Sequence, residues 1–321
     1  MKKINLKNTN LTVSNIAMGT DSIGSLIDRK LSFELLDRYS DFGGNLIDTA
    51  ECYAHWADGG THASEILIGE WMYDRGLRSK TVISTKGGFY LYGKPHRLTR
   101  ADIEEDLDGS LRRLKTDYID IYWLHRDALG VCVGEVMEIL ADAVKSGKVR
   151  YIGVSNWSNV RLHEANMYAK AHDLPELIAS QIQYSAAYPN IYKNEPDLVI
   201  MNDDEYNYFK NSTLTVFAFA SQAKGFFAKF LKGGKEALSK KAFDRYYNAE
   251  TLSRFENLKK IADEKNCSIN SIAVAALTNN YDFDTIPIIG CKNINQLDDS
   301  LSASDIILSE EEVNFIFNRK D

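Results

Sequence analysis

Short apolar runs alternate with longer stretches of helical period along most of this chain. The runs are rich in β-branched and aromatic residues: "SNIAMG", "GNLIDTA", "KTVISTKGG", "DYIDIYWLH", "RYIGVSN", "LIASQIQYS", "LTVFAFAS" and "DTIPIIG". Runs that are apolar at nearly every position predict strands buried on both faces, as in a parallel sheet covered by helices. Helical patterns lie between them: "LSFELLDRYSDFG", "SEILIGEWMYDRG", "TRADIEEDLDGSLRRLKTD", "VGEVMEILADAVKSGKV", "SNVRLHEANMYAKAHDL" and "DDEYNYFKNS". Gly43 stands where a left-handed residue ends the first of these, and Thr99 where a side chain caps the third. Ala249 to Asn280 reads as a longer helical region, and "NINQLDDSLSAS" and "LSEEEVNFIFNRK" follow the last strand. The opening "KINLKNTNLTVS" predicts a hairpin turning over Lys7–Asn10. Tyr188 to Asn202 is irregular.

Eight such βα units in 321 residues fit an α/β fold, a single-domain (β/α)8 TIM barrel over residues 1–321 with an N-terminal β-hairpin. An open, doubly wound sheet would carry a G-x-G-x-x-G turn after its first strand, and "MGTDSIGS" lacks that spacing. No low-complexity linker divides the chain.

Composition narrows the function classes. Apolar residues make up 44% and charged residues 26%, with a net charge of −7. That balance argues against nucleic acid or anionic membranes as partners. No apolar run approaches the roughly 18 residues of a membrane span. "MKKINLKNTNLTVS" has no apolar segment behind its lysines, so a cytoplasmic protein is expected. Cys52, Cys132, Cys267 and Cys291 are widely spaced, with no CxxC pair and no metal-like spacing to histidine; free thiols and no metal are expected.

In a (β/α)8 barrel the C-terminal strand ends share one mouth, where functional groups collect. The second strand ends at Asp48, with Tyr53 just beyond it; the third carries Lys86 and the fourth ends at His125. Each has a bland explanation alone, as a turn cap, packing ring, solvated terminus or core histidine. Together they place an acid, a phenol, an amine and an imidazole over one opening, and such a set suits proton transfer. A phenol with an ordinary pKa near 10 is a poor acid–base catalyst at neutral pH. A lysine ammonium about 4 Å away attracts the phenolate by roughly 4 kcal/mol at an effective dielectric near 20, which lowers that pKa against the opposing effect of burial. The aspartate keeps the ammonium charged, and the histidine orients a substrate oxygen toward the phenol.

From "IAMGT" to "IPIIG" the chain resembles the aldo-keto reductase superfamily. "NLIDTAECY", "STKGG" and "DYIDIYWLHRD" match its aspartate–tyrosine, lysine and histidine segments. The resemblance implies a catalytic tetrad of Asp48, Tyr53, Lys86 and His125, with Tyr53 as proton donor in carbonyl reduction and acceptor in alcohol oxidation. It implies hydride transfer with NADP(H), NAD(H) being the alternative, in a barrel without the Rossmann turn. Ser155 and Asn156 in "IGVSN" and Gln181 in "SQIQY" would hold the nicotinamide carboxamide. Phe219 stands where relatives have a stacking tyrosine, and a phenyl ring keeps the stacking face. "ASQAKG" replaces a Ser-Pro-Leu loop, so Ser221, Gln222 and Lys224 would face the pyrophosphate. In "GCKNINQLDDSL", Lys292 would bind the 2′-phosphate and Gln296 and Asp299 the adenosine, with Ser300 where Asn is common. Lysine meets phosphate as a point charge where many relatives use arginine.

For the substrate, Asp21 replaces a tryptophan common after the first strand, and His55 and Trp56 would line the mouth. Together with a short C-terminus they suggest a small, hydroxylated, sugar-like carbonyl, partly covered by Tyr188–Asn202. Two other readings compete. One is a nucleotide-retaining redox-sensing subunit with poor turnover. The other is a metal-dependent sugar isomerase, which Lys86 beside Tyr53 argues against. Oligomeric state has no handle in the sequence.

Overall fold

In the computed structural model, which describes residues 1–319, the opening hairpin pairs β1 (Lys3–Asn5) with β2 (Thr12–Ser14) in antiparallel register, Ile4 opposite Val13. The eight apolar runs then form β3 (Ala17–Gly19), β4 (Leu46–Asp48), β5 (Val82–Gly87), β6 (Ile119–Leu124), β7 (Val149–Ser155), β8 (Ala179–Gln183), β9 (Thr215–Phe219) and β10 (Thr285–Ile289). Each pairs in parallel with its neighbours, and β10 closes the ring against β3.

The helices outside them are α1 (Arg29–Asp41), α2 (Ala63–Arg75), α3 (Arg100–Leu114), α4 (Val133–Lys145), α5 (Asn159–Ala171), α6 (Asp203–Lys210), α7 (Phe226–Gly233), α8 (Lys240–Tyr246), α9 (Ala249–Lys265), α10 (Ile269–Thr278), α11 (Ile294–Ser302) and α12 (Glu310–Ile316). Thr99 caps α3 by accepting from the Asp102 amide, as its position predicts. Gly43, with φ of 93°, follows the end of α1. The region read as one long helical stretch is two helices. Asn266 turns left-handed after α9, and Ser268 caps α10 by accepting from the Ser271 amide. Two further helices, α7 and α8, occupy the stretch before them, which the hydrophobic pattern left unassigned.

Two apolar layers result. One lies between strands and helices, with Trp71, Tyr122, Leu140, Trp157 and Phe226 fully buried. The other fills the barrel: Leu46, Ile121, Trp123, Phe217 and Ile286 meet Leu6, Leu11 and Val13 of the hairpin. The hairpin therefore plugs one end of the barrel. At the other end the strands carry polar residues into the interior, among them Asp48, Lys86, Ser155 and Gln181, all buried.

Candidate active site

Three strand ends and one loop build the centre of the mouth. β4 ends on Asp48, whose flanking Gly19 and Ser84 on β3 and β5 fix its height by backbone pairing. β5 presents Lys86, fully buried. The chain after β4 turns back through left-handed Ala54 (φ 71°), bringing Tyr53 over the same point.

The Lys86 ammonium has three protons and three acceptors: Asp48 Oδ2 at 2.6 Å, the Thr49 carbonyl at 2.7 Å and Tyr53 Oη at 2.9 Å. Its donor capacity is thus complete. Because the phenol oxygen accepts from lysine, its own O–H is free to donate elsewhere; its approach to Asp48 Oδ2 is a long 3.5 Å. Asp48 is held on its other oxygen by Ser84 Oγ and Gln181 Nε2, each at 2.9 Å, and Trp123 Nε1 donates in turn to Ser84 Oγ at 2.6 Å.

The phenol's acidity runs against the sequence expectation. Burial, and then the Asp48 and Asp21 carboxylates, push Tyr53 well above its usual value. Lys86 does not offset this, because its charge is matched by Asp48 at 2.6 Å and the phenol faces an ion pair instead of a lone cation. Burial also lowers Lys86, with Asp48 pulling the other way. Tyr53 is therefore a protonated phenol at neutral pH.

His125 sits just past β6, its ring 5.9 Å from that of Tyr53 and 5.2 Å from Phe89, centroid to centroid. Burial, then the Lys86 and Arg126 charges, hold it well below the usual imidazole range, so the ring is neutral. Its Nδ1 lies 3.4 Å from Cys52 Sγ. Burial pushes that thiol up to about 12, so the sulfur keeps its proton and is able to donate it to Nδ1. In that arrangement the imidazole proton is on Nε2. The sequence reading missed Cys52 in this role, and only its nearness to Tyr53 in the chain could have flagged it.

The residues expected to hold a nucleotide separate into groups. Ser155 and Asn156 are buried side by side: Asn156 Nδ2 donates to Ser155 Oγ at 3.0 Å, and its Oδ1 accepts from the Val199 amide at 3.2 Å. Gln181 is committed to Asp48 by its amide nitrogen, so it braces the acid in the side-chain arrangement seen here. Phe219 closes β9, partly exposed. Beyond it Ala220, Ala223, Lys224 and Gly225 all take left-handed conformations, which curl the loop tightly before α7. Ser221 Oγ is turned inward to the Ile288 carbonyl at 2.6 Å.

Gln222 joins this loop to the one after β10, accepting from the Gly290 amide at 2.8 Å and donating to Ser300 Oγ at 2.9 Å. Asn270, which the sequence reading did not single out, donates to Asp299 at 2.8 Å and to Ser300 at 3.3 Å. Gln296 accepts from the Lys292 amide at 2.9 Å. Among the described residues neither Lys224 nor Lys292 forms an ion pair with a carboxylate. Two unmatched cations on linked loops suit an anionic, phosphate-bearing ligand.

At the rim, Asp21 is exposed and close enough to influence Tyr53, Lys86 and Lys224. Trp56 is 60% exposed, its ring edge-on to Tyr53 at 6.5 Å. His55 turns instead toward Glu51 and His62. The 188–202 segment is anchored beside the site, with Asp197 accepting from Arg126 Nε at 2.9 Å.

The chain and its fold have relatives among known proteins. The Aldo/keto reductase family model matches residues 15–317. The chain is 30% identical to aryl-alcohol dehydrogenase [NADP(+)] of Phanerodontia chrysosporium over 95% of this chain and 82% of the relative. It is 29% identical to norsolorinic acid reductase of Aspergillus flavus over 95% of this chain and 77% of that one. In fold it matches the thermostable aldo-keto reductase Tm1743, solved with the inhibitor epalrestat, at a TM-score of 0.73 and 25% identity, with 99% of each chain covered. An aldo/keto reductase of Klebsiella pneumoniae, solved with NADP and acetate, matches at a TM-score of 0.72 and 24% identity, covering 99% of this chain and 96% of that one. The barrel, the motifs at its strand ends and these likenesses agree, and the chain belongs to the aldo/keto reductase family of oxidoreductases.

Proposed function

We propose that this protein is an NADP(H)-dependent oxidoreductase that interconverts an aldehyde or ketone and its alcohol, with Tyr53 as the general acid and base. The observation that carries the reading is the saturated Lys86 ammonium, which binds the phenol oxygen at 2.9 Å and leaves the phenol proton free. NADP(H), when bound, gives or takes the hydride. Phe219 would offer its ring to the nicotinamide, Ser155 and Asn156 its carboxamide partners, and Lys224 and Lys292 the charges that meet phosphate. The unmatched lysines and the linked loops fit such a ligand.

Reduction needs a proton on the carbonyl oxygen as negative charge grows there. Tyr53 donates it, and Lys86 stabilises the phenolate left behind by a hydrogen bond already in place. Neutral His125, with its proton on Nε2, donates a hydrogen bond to the same oxygen and fixes its direction. In oxidation the phenol must first be deprotonated, and burial makes that costly below alkaline pH.

The pocket walls are mixed. Trp56 and Phe89 flank the tyrosine and histidine, and Asp21 adds an acceptor for hydroxyl groups. A hydroxylated carbonyl compound fits these groups. The relatives named for aryl alcohols and for norsolorinic acid support an aromatic member of that class.

Tyr53→Phe tests the assignment. NADPH oxidation with a panel of aromatic aldehydes, ketoses and aldoses should fall by about 10²- to 10⁴-fold, the usual contribution of a positioned acid. NADPH affinity, followed by fluorescence titration, should stay within about threefold. Equal loss of both would make Tyr53 a structural residue. Nucleotide binding without consumption of any carbonyl would favour a nucleotide-retaining subunit instead.

A further inference from the structure

A second cluster of reactive side chains lies beside Tyr53 and takes no part in the proton relay. His55 Nε2, His62 Nδ1 and Glu51 Oε1 face one another at the corners of a triangle. Its sides are 3.2 Å (His62 to Glu51), 3.3 Å (His55 to His62) and 3.6 Å (His55 to Glu51). The two imidazole rings stand nearly perpendicular, at 79°. We propose that Glu51, His55 and His62 form a three-ligand site for Zn²⁺ that clips the loop carrying Tyr53.

The donor set, with the spacing beside it, points to the metal class. Ligands about 2.0–2.1 Å from a tetrahedral zinc stand about 3.3 Å apart, whereas cis ligands of an octahedral ion at similar bond length stand about 3.0 Å apart. The sides of the triangle, 3.2, 3.3 and 3.6 Å, leave room for a tetrahedral ion. Two imidazoles and a carboxylate are the donor set of zinc sites that keep a fourth position for water. Calcium and magnesium favour all-oxygen sets.

The three side chains turn chiefly on one another. One proton links two lone-pair bearers, whereas three converge here, and a divalent cation serves all of them. His62 Nδ1 has the Glu51 carbonyl oxygen at 3.0 Å as a competing hydrogen-bond acceptor. That contact uses one nitrogen, and His55 and the carboxylate are left facing each other and His62. Among the described residues Glu51 forms no ion pair with lysine or arginine. Its side chain is only 13% exposed, so water provides little of the missing charge.

The placement gives the site its consequence. Glu51 and His55 bracket Tyr53 by two residues on either side, and His62 adjoins the first turn of α2. Left-handed backbones at Ala54 and His62 fold the segment back so that the three ligands meet. A bound ion would tie both flanks of the tyrosine to a helix.

The full-length protein, stripped with a chelator, should be titrated with Zn²⁺ by calorimetry and with Co²⁺ by absorption. One ion per chain is expected, with the visible bands of tetrahedral cobalt and no near-ultraviolet thiolate charge transfer. His55→Ala is the leading variant, since that side chain is 36% exposed and its loss leaves packing intact. His55→Ala, His62→Ala and Glu51→Gln should each weaken binding by more than the roughly 10- to 100-fold that an outer-shell partner is worth. Cys132→Ser should not change it. Zinc should also slow amide exchange over residues 52–62 in the wild type and not in His55→Ala. Absence of binding at micromolar metal would overturn the proposal. So would binding unaffected by His55→Ala, or a thiolate band lost in a cysteine variant. None of these readouts depends on turnover, so the site and the catalytic reading stand or fall separately.

Discussion

Two buried carboxylates show how the same charge serves different ends. Asp48, at the mouth of the barrel, meets one lysine at 2.6 Å, and that lysine also touches a phenol. Asp120, near the start of β6, meets two arginines, Arg78 at 2.9 Å and Arg150 at 3.0 Å, and accepts the Ile83 amide at 2.9 Å. Both are about 2% exposed or less. Arginine is a fixed, always-charged fork, which locks geometry and passes no proton. Lysine is a point charge whose three donors can be shared among different groups, so it can carry a carboxylate's influence to a third group. The Asp120 cluster rivets β5, β6 and β7 together, whereas the Asp48 cluster is the one proposed to move a proton. A third case has no cation among the described residues: there Glu205 in α6 accepts the Asn159 amide at 3.0 Å, and its other oxygen is buried without a partner. Burial pushes its carboxyl up to about 7.

Lys86→Met should break the comparison most severely. Turnover should fall at least as far as in Tyr53→Phe, and stability by about 3–5 kcal/mol, because Asp48 is left buried without its ion; steady-state rates and urea unfolding measure the two. Next comes pH. With Tyr53 raised, the protonated phenol persists, so reduction should hold its rate from pH 6 to 9. Oxidation, which needs the phenolate, should climb roughly tenfold per pH unit over the same range in initial-rate assays. A reductive rate that falls with a midpoint near neutrality would mean that Lys86 does lower the phenol.

Asp120→Asn should cost about 1–3 kcal/mol in unfolding experiments through weakened charged hydrogen bonds, with kcat unchanged. Loss of activity at full stability would end the division of roles. Glu205→Gln sharpens the contrast from the other side. A carboxyl whose folded pKa exceeds its unfolded one binds more protons when folded, so stability drains as pH rises from the ordinary glutamate range through about 7. The amide variant should remove that slope and gain about 1–2 kcal/mol at pH 8, read from melts across pH. The smallest effect belongs to the exposed pair Lys240–Asp244, at 2.7 Å with the lysine 88% exposed. Lys240→Ala should shift stability by no more than about 0.5 kcal/mol.

These contrasts track what the sequence could reveal. All eight barrel strands were legible, because burial on both faces leaves an unbroken apolar run. The grouping of Asp48, Lys86 and His125 was legible because parallel strands deliver their last residues to one rim, and Tyr53 follows β4 closely enough to join them. Helix ends were harder: nothing apolar changes at Asn266, where a left-handed turn divides α9 from α10. The short α7 and α8 are separated by a Gly233–Gly234 break in a lysine-rich stretch, too brief for periodicity to register. The direction of the Tyr53 shift depends on how completely Asp48 matches Lys86, a question of 2.6 Å that no spacing rule encodes. Gln181 was placed correctly on its strand, yet its amide turns to Asp48. The Glu51–His55–His62 triangle depends on two non-glycine residues in left-handed backbones, a conformation that sequence rarely announces.

The hairpin that stops the floor of the barrel has a consequence for the order of assembly. Leu6, Leu11 and Val13 are buried against residues as distant as Ile286 and Ile288, and β3 is paired to β10. A nascent chain that has not yet reached Thr285 offers its first strands neither a closing neighbour nor a complete floor. Its earliest apolar residues must wait, exposed, for its latest. Long-range closure of this kind slows folding and leaves sticky intermediates open to aggregation. For this protein, the seam between β3 and β10 is where synthesis and folding must meet.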